Sequence, residues 1–283
     1  LEVEAKVEIF SDVKSWLRER CGGTLHQHRM KMESHLYRAL KNDEYVLYFQ
    51  PQVRVDDRRI TGIEALIRWN SSKFGLVHPE LFIPQAEKSD LIIKIGDWVI
   101  ENSLKYMAAI HQNGDVLEIA INVAPLQLQA SDFTEKLLKL IDFFKIPPEK
   151  IKLEITENTF MSVTEYMKRK MSALKDKGLK IVIDDFGTGY GSLVYLRDYP
   201  INEIKIKQRF LDDLEINRVD YIIVQHIIAL GKALNVNVVA EGVEKTEQVE
   251  MLQSLGCHMM QGYYFSKPLC MADTTELLKQ IRI

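Results

Sequence analysis

Cysteine is scarce in this chain: there are three in 283 residues, and Cys21, Cys257 and Cys270 lie far apart. An odd, scattered set of thiols builds no disulfide framework and suits a reducing, cytoplasmic compartment. Positive charge is not in surplus either. The 37 Lys and Arg stand against 40 Asp and Glu, for a net charge of −3. A basic footprint for a nucleic acid polymer is therefore missing. No apolar run is long enough to span a bilayer, and no secretory leader opens the sequence. The chain starts at Leu1 rather than Met, so the expectation is a cytoplasmic domain excised from a longer protein, membrane-anchored or free. What is present is ordinary: 46% hydrophobic and 27% charged residues fit one large globular domain or two small ones.

The most informative stretch is Ile181–Ser192, IVIDDFGTGYGS. Its β-branched apolar run is bounded and too short for a helix, so it reads as a buried strand. Two adjacent carboxylates, Asp184 and Asp185, stand at its exit, followed by a loop punctuated by Gly187, Gly189 and Gly191. Two anions at the end of a buried strand repel each other, and a divalent cation between them is the usual remedy. The plainer reading is an Asx turn with one Asp capping the loop.

Along the chain, Leu1 to about Lys31 is a charged lead-in with helical spacing and no recognisable chemistry, read as a linker or signalling helix. Residues 32–283 carry the domain. Leu36 and Leu40 share a helix face that stops near Asn42-Asp43. Tyr45–Gln50 and Ile60–Trp69 are strand-like and have no helix between them. From Leu91 onward helical and strand patterns alternate. Strands are predicted at Leu117–Val123, Ile151–Ile155, the Asp184 strand, Glu203–Lys207, Val236–Ala240 and Met259–Phe265. Helices are predicted at Leu91–Ile110, Phe133–Phe144, Val163–Lys177, Tyr221–Leu234, Thr246–Leu255 and Thr274–Ile281. Alternation of this kind argues for parallel α/β architecture. About eight strands are the number that closes a (β/α)8, TIM-like barrel, with an antiparallel first strand. A doubly wound open sheet is the alternative. It usually carries a glycine-rich phosphate turn after its first strand, and Gln50-Pro51-Gln52 is not one.

Polar groups interrupt or end each predicted strand: Glu64, Asn122, Glu154, Asp184 with Asp185, Lys205, Glu241 and Gln261, while Glu157 follows Glu154 by three. In a closed barrel such strand ends converge on one mouth. Carboxylates gathered there repel strongly unless cations neutralise them. Oxygen ligands without Cys or His favour Mg²⁺, Mn²⁺ or Ca²⁺ over Zn²⁺. Each residue also has a plain structural explanation; Glu64, for instance, could pair with Arg68 four residues along the same strand face. The coincidence at successive strand ends is harder to explain that way.

The ordered motifs identify a resemblance. Phe49–Pro51 (FQP), Glu64-Ala65-Leu66 within GIEALIRW, Phe82–Glu87 (FIPQAE) and Ile121–Val123 (INV) come first. Leu153–Glu157 (LEITE), Asp184–Leu193 (DDFGTGYGSL), Ala240–Glu244 (AEGVE) and Gln261–Pro268 (QGYYFSKP) follow. From about His35 to its end the chain resembles the EAL domain, a family of cyclic di-GMP phosphodiesterases. The resemblance implies Mg²⁺ or Mn²⁺ held by Glu64, Asn122, Glu154 and Asp184, with Asp185 at a second metal. It implies that Lys205 orients the attacking water and that Glu241 assists near the second metal or as a base. Glu157 would hold the Asp185–Ser192 loop, and Gln50, Leu66, Arg68, Asn122 and Gln261 would contact the substrate. The implied reaction opens one phosphodiester of cyclic di-GMP to give linear pGpG. Implied partners are a second copy, through the Asp185–Ser192 loop and the following helix, and an upstream sensory or GGDEF-type module.

One position departs from the family pattern. The family usually reads Lys-Ile-Asp on the sixth strand, and this chain reads Lys205-Ile206-Lys207. Residues two apart on a strand face the same side, so Lys207 is expected beside Lys205, weakening the second metal site. The alternative is that Lys207 turns to solvent or pairs with a neighbouring carboxylate. Two functions remain: an active phosphodiesterase, or a catalytically weak domain that senses cyclic di-GMP. A purely structural barrel leaves the buried carboxylates unexplained.

Overall fold

The computed structural model describes residues 25–112, 117–161, 164–187 and 194–280. Most of the expected lead-in (up to residue 24) and of the glycine loop (residues 188–193) lie outside them. The strands are β1 (Tyr45–Arg54), β2 (Arg59–Ser71), β3 (Gly75–Val77), β4 (Glu118–Asn122) and β5 (Ile151–Thr156). They continue as β6 (Lys180–Phe186), β7 (Glu203–Ile206), β8 (Asn237–Glu241), β9 (Met259–Gln261) and β10 (Leu269–Cys270).

Apolar β-branched residues on β4 to β8, such as Ile119, Ile121, Ile151, Ile155, Ile181 and Ile183, are fully or almost fully buried, as strands covered on both faces require. These strands pair in parallel from β2 through β4 to β9. The first strand runs antiparallel to both β2 and β9 and closes an eight-stranded barrel. The closed barrel with a reversed first strand is thus present, and the open doubly wound sheet is not. β3 and β10 lie outside the ring, against β2 and β1.

Helices wrap the barrel with one apolar face inward. In the helix Phe133–Phe144, Phe133, Leu137 and Ile141 recur every fourth residue and are buried. The helix Arg218–Leu234 starts where Asn217 Oδ1 accepts the N–H groups of Val219 and Asp220, satisfying two orphan donors. The helix Leu25–Lys41 buries Met32, Leu36 and Ala39 in the same core.

Several expected boundaries need correction: β1 runs on to Arg54, and the helix expected from Tyr221 starts at Arg218. Residues 262–265 are not strand, because β9 ends at Gln261 and the backbone turns there, with the Phe265 and Ser266 N–H groups bonding to the Gly262 carbonyl. The closing helix begins at Met271, not Thr274. β7 ends at Ile206, and Lys207 already precedes a turn of 3-10 helix. Among the described residues, no helix is long and apolar enough to cross a membrane.

Candidate functional site

The C-terminal ends of the parallel strands meet at one rim of the barrel. β2 brings Glu64, β4 Asn122, β5 Glu154, β6 Asp184 and Asp185, β7 Lys205, β8 Glu241 and β9 Gln261. Cross-strand register aligns them: Glu64 lies opposite Gln50 on β1, Asn122 opposite Glu154, and Glu241 opposite Gln261.

Lys205 sits at the centre and is wholly buried. Its Nζ lies 3.1 Å from Glu64 Oε2, 2.8 Å from Glu154 Oε1, 2.5 Å from Glu241 Oε1 and 3.9 Å from Asp184 Oδ1. One ammonium therefore serves four carboxylates. Burial opposes its charge, but Glu154 and Glu241 more than offset this and hold its pKa well above the usual lysine value.

The four carboxylates are not equivalent. Burial pushes Glu64 up, but Lys205 and hydrogen bonds from Gln261 and Asn122 reverse that and leave it below its ordinary value. Burial and the neighbouring Glu64 charge push Glu154 well above the carboxylate range, with Lys205 offsetting only part. Burial raises Asp184 and Glu241 likewise, against the pull of Lys205. Both Glu64 oxygens are hydrogen-bonded, Oε1 from Asn122 Nδ2 at 2.9 Å and Oε2 from Gln261 Nε2 at 2.6 Å. Glu154 differs. Lys205 Nζ is its ion-pair partner, and among the described residues neither buried Glu154 oxygen accepts a hydrogen bond. A buried carboxylate left without donors costs several kcal/mol unless a cation serves it. The donor set is all hard oxygen, which fits Mg²⁺ or Mn²⁺.

Asp184 and Asp185 are consecutive, and a regular strand would send them to opposite faces. The β6–β7 register shifts between Ile183 and Phe186, and Asp185 adopts φ +58°. This bulge turns both carboxylates to one cavity. With Glu241 they bring ligand oxygens within 4.8 Å of one another. Gly187 follows at φ +89°, where a Cβ would lie 3.0 Å from the Phe210 ring. Its N–H donates to Glu157 Oε2 at 2.9 Å, so the buried Glu157 tethers the start of the glycine loop.

Lys207 does not enter the lumen. Because the strand has ended, its side chain stays 38% exposed, whereas Lys205 is at 0%. Its Nζ pairs with Asp185 Oδ2 at 2.9 Å, which is the alternative weighed from the sequence. Glu64 does not hydrogen-bond Arg68 either. The buried Arg68 guanidinium donates to the Ile67 carbonyl and lies over the Tyr48 ring. Leu66 lines the same cavity of about 490 Å³ as Glu64, Asn122, Glu154, Asp184 and Asp185. Gln50 is buried, accepts from Gln261 Nε2 and donates to the Ser266 carbonyl.

Sequence reasoning missed a second polar cluster at the opposite end of the lumen. Lys152 is 2% exposed, with Nζ 2.8 Å from Glu203 Oε2 and 3.2 Å from Glu118 Oε2. Lys180 pairs with Glu118 from the outside. A signal was available: Lys152 precedes Glu154 by two, and Glu203 precedes Lys205 by two, so strand alternation puts each pair on one face.

Comparison with known proteins decides the family. The sequence profile described as the EAL domain matches residues 33–268. The chain belongs to the EAL domain family. The bifunctional diguanylate cyclase/cyclic di-GMP phosphodiesterase MucR of Pseudomonas aeruginosa is 36% identical over 86% of this chain and 36% of its own length. The cyclic di-GMP phosphodiesterase NbdA of the same organism is 33% identical over 89% of this chain and 32% of its own length. This EAL chain thus spans about a third of those relatives. A solved MucR phosphodiesterase in complex with c-di-GMP superposes with a TM-score of 0.83 at 36% identity, covering 86% of this chain and 99% of that one.

Proposed function

We propose that this EAL domain hydrolyses one phosphodiester bond of cyclic di-GMP to linear pGpG. The observation that carries the reading is the surplus of buried carboxylate at the mouth, where Glu154 shares the single Lys205 ammonium with three other carboxylates and, among the described residues, accepts no hydrogen bond. Glu64, Asn122, Glu154 and Asp184 would hold Mg²⁺ or Mn²⁺, and Asp185 a second ion. A cation there neutralises the anionic phosphodiester and lowers the pKa of a water. Lys205, fixed by its carboxylate neighbours, would orient that water. Glu241 would take up a proton or support the second ion. Glu157 keeps the loop after Asp185 in place. Gln50, Leu66, Arg68 and Gln261 would position the nucleotide. Catalysis of this kind rests on placement and charge rather than on covalent work by the protein.

A second reading has its own observation. The Lys207 ammonium occupies Asp185, so a second cation must displace it. A domain that fills only one metal position would bind cyclic di-GMP and cut it slowly, as a receptor does. The sequence relatives and the c-di-GMP complex of the structural neighbour fit either reading. Homodimerisation through the glycine loop and the helix after it, and an upstream module, belong to the same proposal.

The test is purified protein with Mg²⁺ or Mn²⁺ and cyclic di-GMP, followed by chromatography for pGpG. Product formation supports the enzyme. Tight nucleotide binding without product supports the receptor.

A further inference from the structure

We propose that Gln52 and Lys152 are positioning residues: through Gln261 they fix the orientation of Glu64, so the foot of the barrel sets the geometry of its mouth. The inference rests on the metal-dependent reading above.

The foot and the mouth are joined by one chain of hydrogen bonds. Lys152 Nζ donates to Gln52 Oε1 at 3.2 Å, Gln52 Nε2 to Gln261 Oε1 at 3.1 Å, and Gln261 Nε2 to Glu64 Oε2 at 2.6 Å. The polarity of this chain is forced by chemistry. An ammonium has only donors, so the Gln52 atom facing Lys152 must be its oxygen. The Gln52 amide nitrogen then faces Gln261, which must answer with its own oxygen. That leaves the Gln261 nitrogen for Glu64, whose ionised carboxylate only accepts. Turning either amide over sets N–H against ammonium, or oxygen against carboxylate.

A second anchor gives the same sense. The Ser266 carbonyl accepts from Gln50 Nε2 at 3.1 Å, which leaves Gln50 Oε1 to accept from Gln261 Nε2 at 3.1 Å. Gln261 is therefore oriented from two sides. Water does not relax the chain, because Gln52, Lys152, Gln261 and Glu64 are 0%, 2%, 3% and 5% exposed. The room for Gln52 comes from Gly62, where a Cβ would stand 3.2 Å from Gln52 Oε1 and 3.1 Å from the Glu118 carbonyl. The last link is short and charge-assisted, the strongest class of hydrogen bond in the chain. It fixes one Glu64 oxygen while Asn122 fixes the other.

The test uses Gln52→Met, which keeps the shape and removes both the donor and the amide acceptor. Glu203→Gln is the companion, weakening the foot ion pair while leaving the Lys152–Gln52 link. Mn²⁺ affinity without nucleotide, kcat and KM for cyclic di-GMP, and melting temperature are measured for each. The relay predicts that Gln52→Met weakens Mn²⁺ binding and lowers kcat, each by about 10- to 100-fold, with KM within about threefold. Glu203→Gln lowers the melting temperature but keeps Mn²⁺ affinity. If Gln52→Met folds poorly, Lys152→Met/Glu203→Met removes the charges together and makes the same test. Wild-type Mn²⁺ affinity in folded Gln52→Met, or in folded Lys152→Met/Glu203→Met, overturns the relay, as does equal loss of affinity in Glu203→Gln. If the wild type binds Mn²⁺ but releases no pGpG, the phosphodiesterase reading falls, and the relay is judged on Mn²⁺ affinity alone.

Discussion

The two ends of this barrel carry the same residue types in opposite balance. At the foot, Lys152 and Lys180 face Glu118 and Glu203. At the mouth, Lys205 is the one ammonium among the described residues that pairs with Glu64, Glu154, Asp184 and Glu241. The foot is paired charge for charge, and there Lys152 and Lys180 hold the Glu118 carboxyl below its ordinary value against the cost of burial. At the mouth, Glu154 and Glu241 are driven well above theirs. A balanced buried network is a structural part; an unbalanced one needs something from outside. Most TIM-like barrels fill this space with branched apolar side chains. Here the lower layer is ionic, and above it lies a layer in which carboxylates outnumber ammonium groups.

The strongest way to break that contrast is to neutralise one side at a time. Glu154→Gln is expected to cut cyclic di-GMP hydrolysis by about three orders of magnitude, several kcal/mol of metal chemistry, while the melting temperature holds or rises. Glu203→Ala should do the reverse, costing about 3–5 kcal/mol in urea unfolding because Lys152 loses its main buried partner. Equal stability losses in both variants would erase the distinction between foot and mouth. A smaller effect, about 1 kcal/mol, is expected from Glu118→Gln, and its pH dependence has a defined sign. A carboxyl held below its unfolded value stabilises the fold above that value, about 4.3, and loses the contribution as pH falls through the folded value. The wild type should therefore outlast Glu118→Gln above about pH 4.3 and lose its advantage as the pH falls below that, as read by melting temperature. A constant gap would contradict the assignment. The smallest change is at the rim. Lys207→Asp frees Asp185 from a half-exposed ion pair, and Mn²⁺ affinity should rise about three- to tenfold. Unchanged affinity and rate would show that the pair does not compete with a cation.

Much of this was legible in the sequence, and the limits have physical causes. Strands β4 to β8 announced themselves because buried parallel strands are short apolar runs set between amphipathic helices. The absence of a helix between β1 and β2 gave the reversed first strand. The mouth residues showed as polar groups ending those runs. The strand-alternation rule was the instructive failure. Carried forward from Lys205 it misplaced Lys207, because β7 stops at Ile206. Carried backward it would have found Glu203, and from Glu154 it would have found Lys152. Alternation holds only where the ladder continues, and strand ends are set by tertiary pairing that no local pattern encodes. The bulge that turns both Asp184 and Asp185 to one cavity was hidden for the same reason. Short elements such as Gly75–Val77 and Pro79–Ala86 escaped because they hold too few residues for any period to show.

The central claim is that surplus charge at the mouth, and not acidity in general, recruits the cation. Mn²⁺ titration of the nucleotide-free protein, followed by electron paramagnetic resonance, tests it directly. The wild type and Glu118→Gln should bind at least one ion per chain with matching affinity, and Glu154→Gln should lose that binding. Retained binding in Glu154→Gln, or equal loss in Glu118→Gln, would contradict the account.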